Sequence, residues 1–223
     1  LLAAMKHVRF AAMDAGFVKV TVRAWPALCS QEGRDAILGS FLEDGHTLVR
    51  SGFGPRLVYV LGGFLDDGVD ALGTVDVYDP MTDGWKQVSS MPTKRCAHGC
   101  VALDGKIYAI GGFNGDDGTL NSADVYDPQS DSWQPLAEMA SARQEFAAAT
   151  AGGKIYVIGG ENDDSVPIAA VEAFDPLLSP WAEVASMSVA RRLHAVAVVD
   201  GKIYVIGGCG FDGLLDSVEM YDP

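Results

Sequence analysis

Residues 154–160 read KIYVIGG, and the same seven letters return at 202–208. Two close variants precede them, LVYVLGG at 57–63 and KIYAIGG at 106–112. The Gly doublets therefore stand at Gly62–Gly63, Gly111–Gly112, Gly159–Gly160 and Gly207–Gly208, spaced by 49, 48 and 48 residues. A fixed period of this length marks a repeat architecture in which each repeat is one supersecondary unit. Each run is apolar at consecutive positions, which predicts a strand buried on both faces. The doublet at its end permits close backbone approach and unusual dihedrals.

Other landmarks keep the same step. An aromatic-Asp-Pro recurs at Tyr78-Asp79-Pro80, Tyr126-Asp127-Pro128, Phe174-Asp175-Pro176 and Tyr221-Asp222-Pro223. Trp85, Trp133 and Trp181 follow, and then Met91/Arg95, Met139/Arg143 and Met187/Arg191. Asp-Pro after an aromatic strand opens a turn, because Pro pre-sets φ and Asp bonds the backbone ahead of it. The Trp begins a further strand, its ring placed to pack against the next layer. ALDGK, TAGGK and VVDGK set Asp-Gly or Gly-Gly between apolar runs, a short hairpin signal.

One unit is therefore four antiparallel strands. In the second unit they are expected near His98–Leu103, Lys106–Gly112, Asn121–Tyr126 and Ser132–Leu136. One such sheet cannot bury both faces alone, and stacking sheets around an axis buries them, which makes a β-propeller. The fold class is mainly β, with repeats over about 56–96, 97–144, 145–192 and 193–223.

These landmarks closely resemble the kelch repeat, from about residue 56 to the C-terminus. The resemblance implies a kelch-type propeller of four-stranded blades, about three and a half of them here, where kelch rings usually have six. Phe174 stands where the pattern has Tyr, and HTLVRSGFGPR (46–56) lacks the apolar run of an innermost strand. Kelch propellers often borrow a strand from the C-terminus for the first blade, and this start is similar. The chain stops before a fourth Trp, so it reads as part of an unclosed ring.

Ahead of the repeats the period changes. Leu1, Leu2, Met5, Val8 and Phe10 predict a short helix, and Asp14 caps a second that Pro26 ends. Ser30 caps a third over Gln31–Leu42, with Ile37, Leu38, Phe41 and Leu42 on one stripe. Val18, Val20, Thr21 and Val22 oppose the second helix by their β-branching. Residues 8–38 resemble the BACK domain through Val8-Arg9-Phe10, Met13, Pro26-x-Leu28 and Glu32-x-Arg34-Asp35-x-x-Leu38. The expected division is a helical BACK-like segment over 1–47 and an incomplete kelch propeller over 48–223. The start LLAAMKHVRF has no initiator Met and is no signal peptide, so it reads as a cut inside a longer protein.

The net charge is −14, and residues 51–223 carry ten Lys/Arg against 25 Asp/Glu. Such a surface repels phosphate backbones and disfavours nucleic acid. No apolar run reaches the roughly 18–20 residues that cross a bilayer. Cys29, Cys96, Cys100 and Cys209 form no CxxC pair, which favours free thiols and a reducing compartment. A protein partner, with basic character, and a cytoplasmic location are the expectation; nuclear or cytoskeletal sites are alternatives.

Cys96-x-His98-x-Cys100 could present three soft ligands on one strand face. Yet Phe146 and His194 occupy the place of His98, and Ala148 and Val196 that of Cys100, so a structural role is expected and no metal. Asp66-Asp67-Gly68, Asp116-Asp117-Gly118, Asp163-Asp164 and Asp212-Gly213 lack regular oxygen-ligand spacing and read as solvated turns or an acidic rim. No nucleophile elbow, HExxH, Walker loop or GxGxxG is present. The recurring Arg95, Arg143 and Arg191 read as structural. Neither catalytic residues nor a cofactor are expected.

Kelch adaptors bind partners with two loop sets at one end of the channel, and the resemblance carries them onto this chain. The first set is Phe64, Phe113, Glu161 and Cys209, with Asn114, Asn162 and Phe211 beside them. The second is Cys96-Ala97, Gln144-Glu145 and Arg192-Leu193. These positions vary between repeats while the scaffold around them does not. The Phe residues are expected to be exposed anchors, and Glu145 and Glu161 to give a negative field. The resemblance implies the substrate-recognition part of a cullin-type ubiquitin ligase, its cullin held through a BTB domain absent from this chain. The alternative is an actin-binding or scaffold kelch protein.

Overall fold

The computed structural model describes residues 57–64, 71–178 and 180–223. The expected helical segment over 1–47, the stretch 46–56 and the Asp66-Asp67-Gly68 turn lie outside the described residues.

The strands follow the repeat. Blade one is β1 (Val58–Leu61), β2 (Val75–Asp79) and β3 (Gly84–Val88). Blade two is β4 (Gly99–Leu103), β5 (Lys106–Ile110), β8 (Ala123–Asp127) and β9 (Ser132–Pro135), with a small ribbon of β6 (Phe113–Asn114) and β7 (Gly118–Thr119) after the Gly doublet. Blade three is β10 (Ala147–Ala151), β11 (Lys154–Ile158), β12 (Val171–Phe174) and β13 (Ala182–Val184). Blade four is β14 (Ala195–Val199), β15 (Lys202–Ile206) and β18 (Val218–Tyr221), with a ribbon of β16 (Cys209–Gly210) and β17 (Gly213–Leu214). Every sheet is antiparallel, with orders β1-β2-β3, β4-β5-β8-β9, β10-β11-β12-β13 and β14-β15-β18. These are the blades of a kelch-type β-propeller.

The apolar run of the repeat explains the packing. On β11, Ile155 and Val157 join Tyr108, Ile110 and Phe146 in the layer between blades two and three. Tyr156 and Ile158 point the other way and join Ile203 and Val205 between blades three and four. Alternate side chains of one strand thus serve two different neighbours. Where blade four faces outward the equivalent positions are open: Val218 is 58% exposed, whereas Val171 is 5% exposed.

The recurring Arg fastens each blade to the next. The Arg95 main chain pairs with blade one, its amide donating to Leu72 O (3.1 Å) and its carbonyl accepting from Gly63 N (2.9 Å). Its side chain enters blade two, where Nη1 donates to Gly111 O and Ser122 O (both 2.9 Å) and Nη2 to Asp124 Oδ2 (2.7 Å). Arg143 repeats this on Gly159 O (3.1 Å), Ala170 O (2.9 Å) and Glu172 Oε1 (2.6 Å). Arg191 repeats it on Gly207 O (2.9 Å), Ser217 O (3.2 Å) and Glu219 Oε1 (2.7 Å). All three arginines are 0% exposed. Burial draws the Arg95 and Arg143 guanidinium pKa values below the ordinary value, and the paired carboxylates oppose that.

Trp adds a second tie. Its ring lies on the aromatic of its own blade, with centroids 5.1 Å apart in Tyr126–Trp133 and Phe174–Trp181. Its Nε1 donates to the preceding blade, Trp133 to Ser89 O (2.8 Å) and Trp181 to Ala137 O (2.9 Å). Phe174 keeps the stacking but lacks the hydroxyl that Tyr126 donates to Asp131 Oδ1 (2.7 Å). In blade three the residue at the Asp131 position is Ser179, so both ends of that bond are replaced together.

The Gly doublet is where a neighbouring blade comes closest. A Cβ on Gly111 would lie 2.8 Å from Arg143 O and 2.9 Å from a Phe146 ring carbon, and its φ is +53°. The rings at the start of the inner strands fill this space: His98 packs by Gly62, Phe146 by Gly111 and His194 by Gly159. Burial and the Arg191 charge push the His194 imidazole down to about 4.

Three outcomes follow for urea unfolding. Gly111→Val lowers stability by more than about 3 kcal/mol, whereas Gly105→Ala, which meets nothing within 4 Å but keeps φ +76°, costs about 1 kcal/mol. Arg143→Leu leaves Glu172 buried without its cation and costs about 3–5 kcal/mol. His194 stays neutral when folded, whereas the unfolded imidazole takes a proton below its usual 6.5, so this contribution is lost as pH falls from 6.5 towards 4. Between about pH 7 and pH 4.5 the wild type loses about 2 kcal/mol more than His194→Phe.

Candidate partner-binding rim

The two loop sets expected at the channel mouth meet residue for residue. Cys96 and Phe113 exchange backbone hydrogen bonds of 2.9 Å each. Gln144 and Glu161 do so at 3.0 and 2.9 Å, and Arg192 and Cys209 at 3.0 and 2.8 Å. The first residue after each recurring Arg is thus locked to the first residue after the following Gly doublet. Phe64 bridges instead to Ala71 within its own loop.

The second residue of each linker joins the blades sideways. Glu145 N donates to Ala97 O (3.0 Å), and Leu193 N donates to Glu145 O (2.9 Å). Ala97, Glu145 and Leu193 have φ of +49°, +54° and +60°. Non-glycine residues in this region are strained by about 1–3 kcal/mol each, and such strain gathers at functional sites. The same strain at one position in three successive repeats shows that the linker geometry, not the side chain, sets it.

The side chains divide sharply. Phe211 is 70% exposed and Leu193 39% exposed. Phe64, Phe113, Ala97, Gln144, Glu145, Asn162, Arg192 and Cys209 are half-buried. Asn114, Glu161 and Cys96 are buried. Asn114 holds its own turn, its Oδ1 accepting from Asp116 N (3.1 Å) and Asp117 N (2.6 Å). Asn162 Oδ1 accepts from Asp164 N (3.1 Å) and Val166 N (3.0 Å). The Cys96 thiol donates to Phe113 O at 3.1 Å, and burial pushes its pKa up to about 11. Of the three expected aromatic anchors, only Phe211 stands clear of the body, because the backbone bridges draw Phe64 and Phe113 down.

The rim charge also differs from expectation. Arg192 Nη1 reaches Glu145 Oε2 at 3.1 Å and Glu161 Oε2 at 2.7 Å. Gln144 Nε2 donates to Glu161 Oε1 at 3.2 Å. Burial alone would lower the Arg192 pKa, but the Glu161 and Glu145 carboxylates hold it above the ordinary value. One guanidinium therefore shares two carboxylates, and the negative field of this pair is halved at its source. Asp163 is likewise more than a solvated turn residue: its Oδ1 accepts from Thr119 N at 2.8 Å, tying the loop of blade three to that of blade two.

Asp124, Glu172 and Glu219, which hold the arginines, escaped the repeat reading. Their signal is an acid two residues ahead of each aromatic-Asp-Pro: Asp76, Asp124, Glu172 and Glu219. Among the described residues no group of three or more His, Cys, Asp or Glu could hold a metal ion. No helix among them is long and apolar enough to cross a membrane.

Stacked antiparallel blades of three and four described strands, bolted by arginine and crowned by paired variable loops, define a repeat-built β-propeller. The chain belongs to the kelch-repeat family: the family model described as "KLHDC2/KLHL20/DRC7 Kelch-repeats domain" matches residues 42–208. Among curated proteins it is similar to Kelch-like protein 3 of Danio rerio, 43% identical over 61 residues that cover 27% of this chain and 10% of that protein. Kelch-like protein 3 and Kelch-like protein 2 of Homo sapiens are each 39% identical over 61 residues, again 27% of this chain and 10% of theirs. The matched stretch thus spans about a tenth of the length of these relatives.

Proposed function

We propose that this chain is the substrate-recognition part of a cullin-RING ubiquitin ligase adaptor. Its rim holds a short loop or peptide of a protein substrate, and the chemistry belongs to partner proteins in the cytoplasm. One observation carries the reading: the residues that differ between repeats are those that the bridges gather at one end, while the arginines, glycines and aromatics beneath them stay fixed. The BACK-like stretch at residues 8–38, ahead of the first blade, supports the adaptor role. The cullin is held through a BTB domain outside this chain.

Phe211 and Leu193 are the apolar contacts, and Arg192 with its two glutamates is the polar one. Exposed aromatic and aliphatic groups of this kind anchor interfaces when a rim of polar groups surrounds them. The acidic Asp116, Asp164 and Asp212 beyond that network favour a partner with basic flanks.

The expected outcome for Phe211→Ala with Leu193→Ser is loss of partner capture from cell extract, with unfolding stability within about 0.5 kcal/mol of wild type. Expressing the wild-type chain in cells sequesters the captured protein from its ligase, so its half-life lengthens, and the double variant does not do this. Co-sedimentation with actin filaments and unchanged turnover of every captured protein would replace this reading by the scaffold one.

A further inference from the structure

We infer that Arg192 is the specificity-determining residue of the rim, and that it binds an uncharged amide carbonyl of the partner and rejects a carboxylate. The inference rests on the rim reading proposed above and names the chemistry of the group that enters.

Two consecutive arginines use their donors differently. Arg191 is 0% exposed, and its Nε, Nη1 and Nη2 all donate within the protein, to Val189 O, Gly207 O, Ser217 O and Glu219 Oε1. The Arg192 side chain is 31% exposed, and Nη1 alone is engaged, by Glu145 Oε2 and Glu161 Oε2. Its Nε and Nη2 make no hydrogen bond among the described residues. The site lies between blades three and four. The Arg192 main chain is bridged to Cys209, and the next residue is tied through Leu193 N to Glu145 O (2.9 Å). The head rests on carboxylates that flank β10 and β11. Held at both ends, the guanidinium offers its other edge as an ordered fork of N–H groups, and little motion is lost when that fork is used.

Charge decides what the fork accepts. A guanidinium edge ordinarily selects a carboxylate, which it binds through two parallel N–H groups. Here two carboxylates already face one cation, and both are withdrawn from water, the Glu161 side chain at 5% exposed and that of Glu145 at 22%. An arriving carboxylate gains the one cation and meets two like charges close behind it, and such a juxtaposition excludes a partner. An amide carbonyl accepts the same N–H groups and brings no charge. The molecule already places this chemistry in the cluster: Gln144 Nε2 donates to Glu161 Oε1 at 3.2 Å, an uncharged carboxamide beside the ion network. The partner's amide is the side chain of Asn or Gln, or a main-chain peptide group. Basic flanks outside the cluster are compatible with either, since they meet the acidic turns and not the fork.

The test uses a phage-displayed library of random peptides selected on the intact protein. Selected peptides are synthesised, labelled and titrated by fluorescence anisotropy. Those that lose binding to the Phe211→Ala, Leu193→Ser variant are the rim binders. They are expected to weaken about tenfold or more on Arg192→Met and on Arg192→Lys, which keeps the charge but not the fork, each variant shown to be folded by thermal unfolding. On the wild type, changing the contacting Asn or Gln of the peptide to Asp or Glu weakens binding about tenfold, and Glu145→Gln removes most of that penalty. Where Arg192 matters and no Asn or Gln does, amide-to-ester replacement along the peptide locates a main-chain carbonyl as the acceptor. Rim binders that are indifferent to both Arg192 variants, or that contact Arg192 through Asp or Glu on the wild type, overturn the proposal and leave the rim reading standing. Absence of any rim-dependent peptide overturns both.

Discussion

The structure depends on a buried guanidinium whose main chain belongs to one blade and whose head lies in the next. Each blade alone is a sheet with two apolar faces, and nothing in those faces fixes the angle or height of its neighbour. Arg95, Arg143 and Arg191 fix both. Each binds the carbonyl of the first glycine of the doublet, a carbonyl at the start of the third strand and a carboxylate within that strand. A buried ion pair contributes little net stability, but its directionality specifies one geometry where apolar contact tolerates many. The carboxylates extend this: Glu172 also accepts from Ala140 N (2.7 Å) and Ser141 N (3.2 Å), returning a bond to the blade that sent the arginine.

The rim inherits its shape from that clamp. Because each arginine is pinned, the next two residues leave it in a set direction, one bridging to the loop after the Gly doublet and one strained at positive φ. Side-chain identity there is free of the fold, and this chain uses the freedom differently in each blade. Blade two places Cys96 and Phe113, blade three Gln144 and Glu161, and blade four Arg192 and Cys209. Arg192 compensates one of the two glutamates across blades, so the rim keeps about half of that pair's negative charge.

Most of the fold was legible because the repeat fixes it. KIYAIGG predicted a strand over Lys106–Gly112, and β5 runs Lys106–Ile110. The glycines drop out because their positive φ carries the chain away from the ladder toward the next blade. The resemblance put both loop sets at one end of the channel, but neither their residue-for-residue pairing nor the burial of Asn114, Glu161 and Cys96 was legible. Glu161 is covered by Arg192, a residue 31 positions away on the linker into blade four, and Asn114 by its own turn. The arginine partners were missed for a related reason. The pairs Arg95–Asp124 and Arg143–Glu172 join residues 29 apart across a repeat boundary, where a reading within one repeat does not look.

The lateral bonds from Ala97 to Glu145 to Leu193 carry a mechanical consequence. A loop that stands alone can flex toward a visitor, and it gives up that freedom when held. Here the loops are voussoirs of an arch: pushing one presses on its neighbours through short backbone bonds and, below them, through the arginines. Such a surface surrenders little conformational entropy when something settles on it. Recognition then falls to the fit of a few projecting groups, and loop motion contributes little to it.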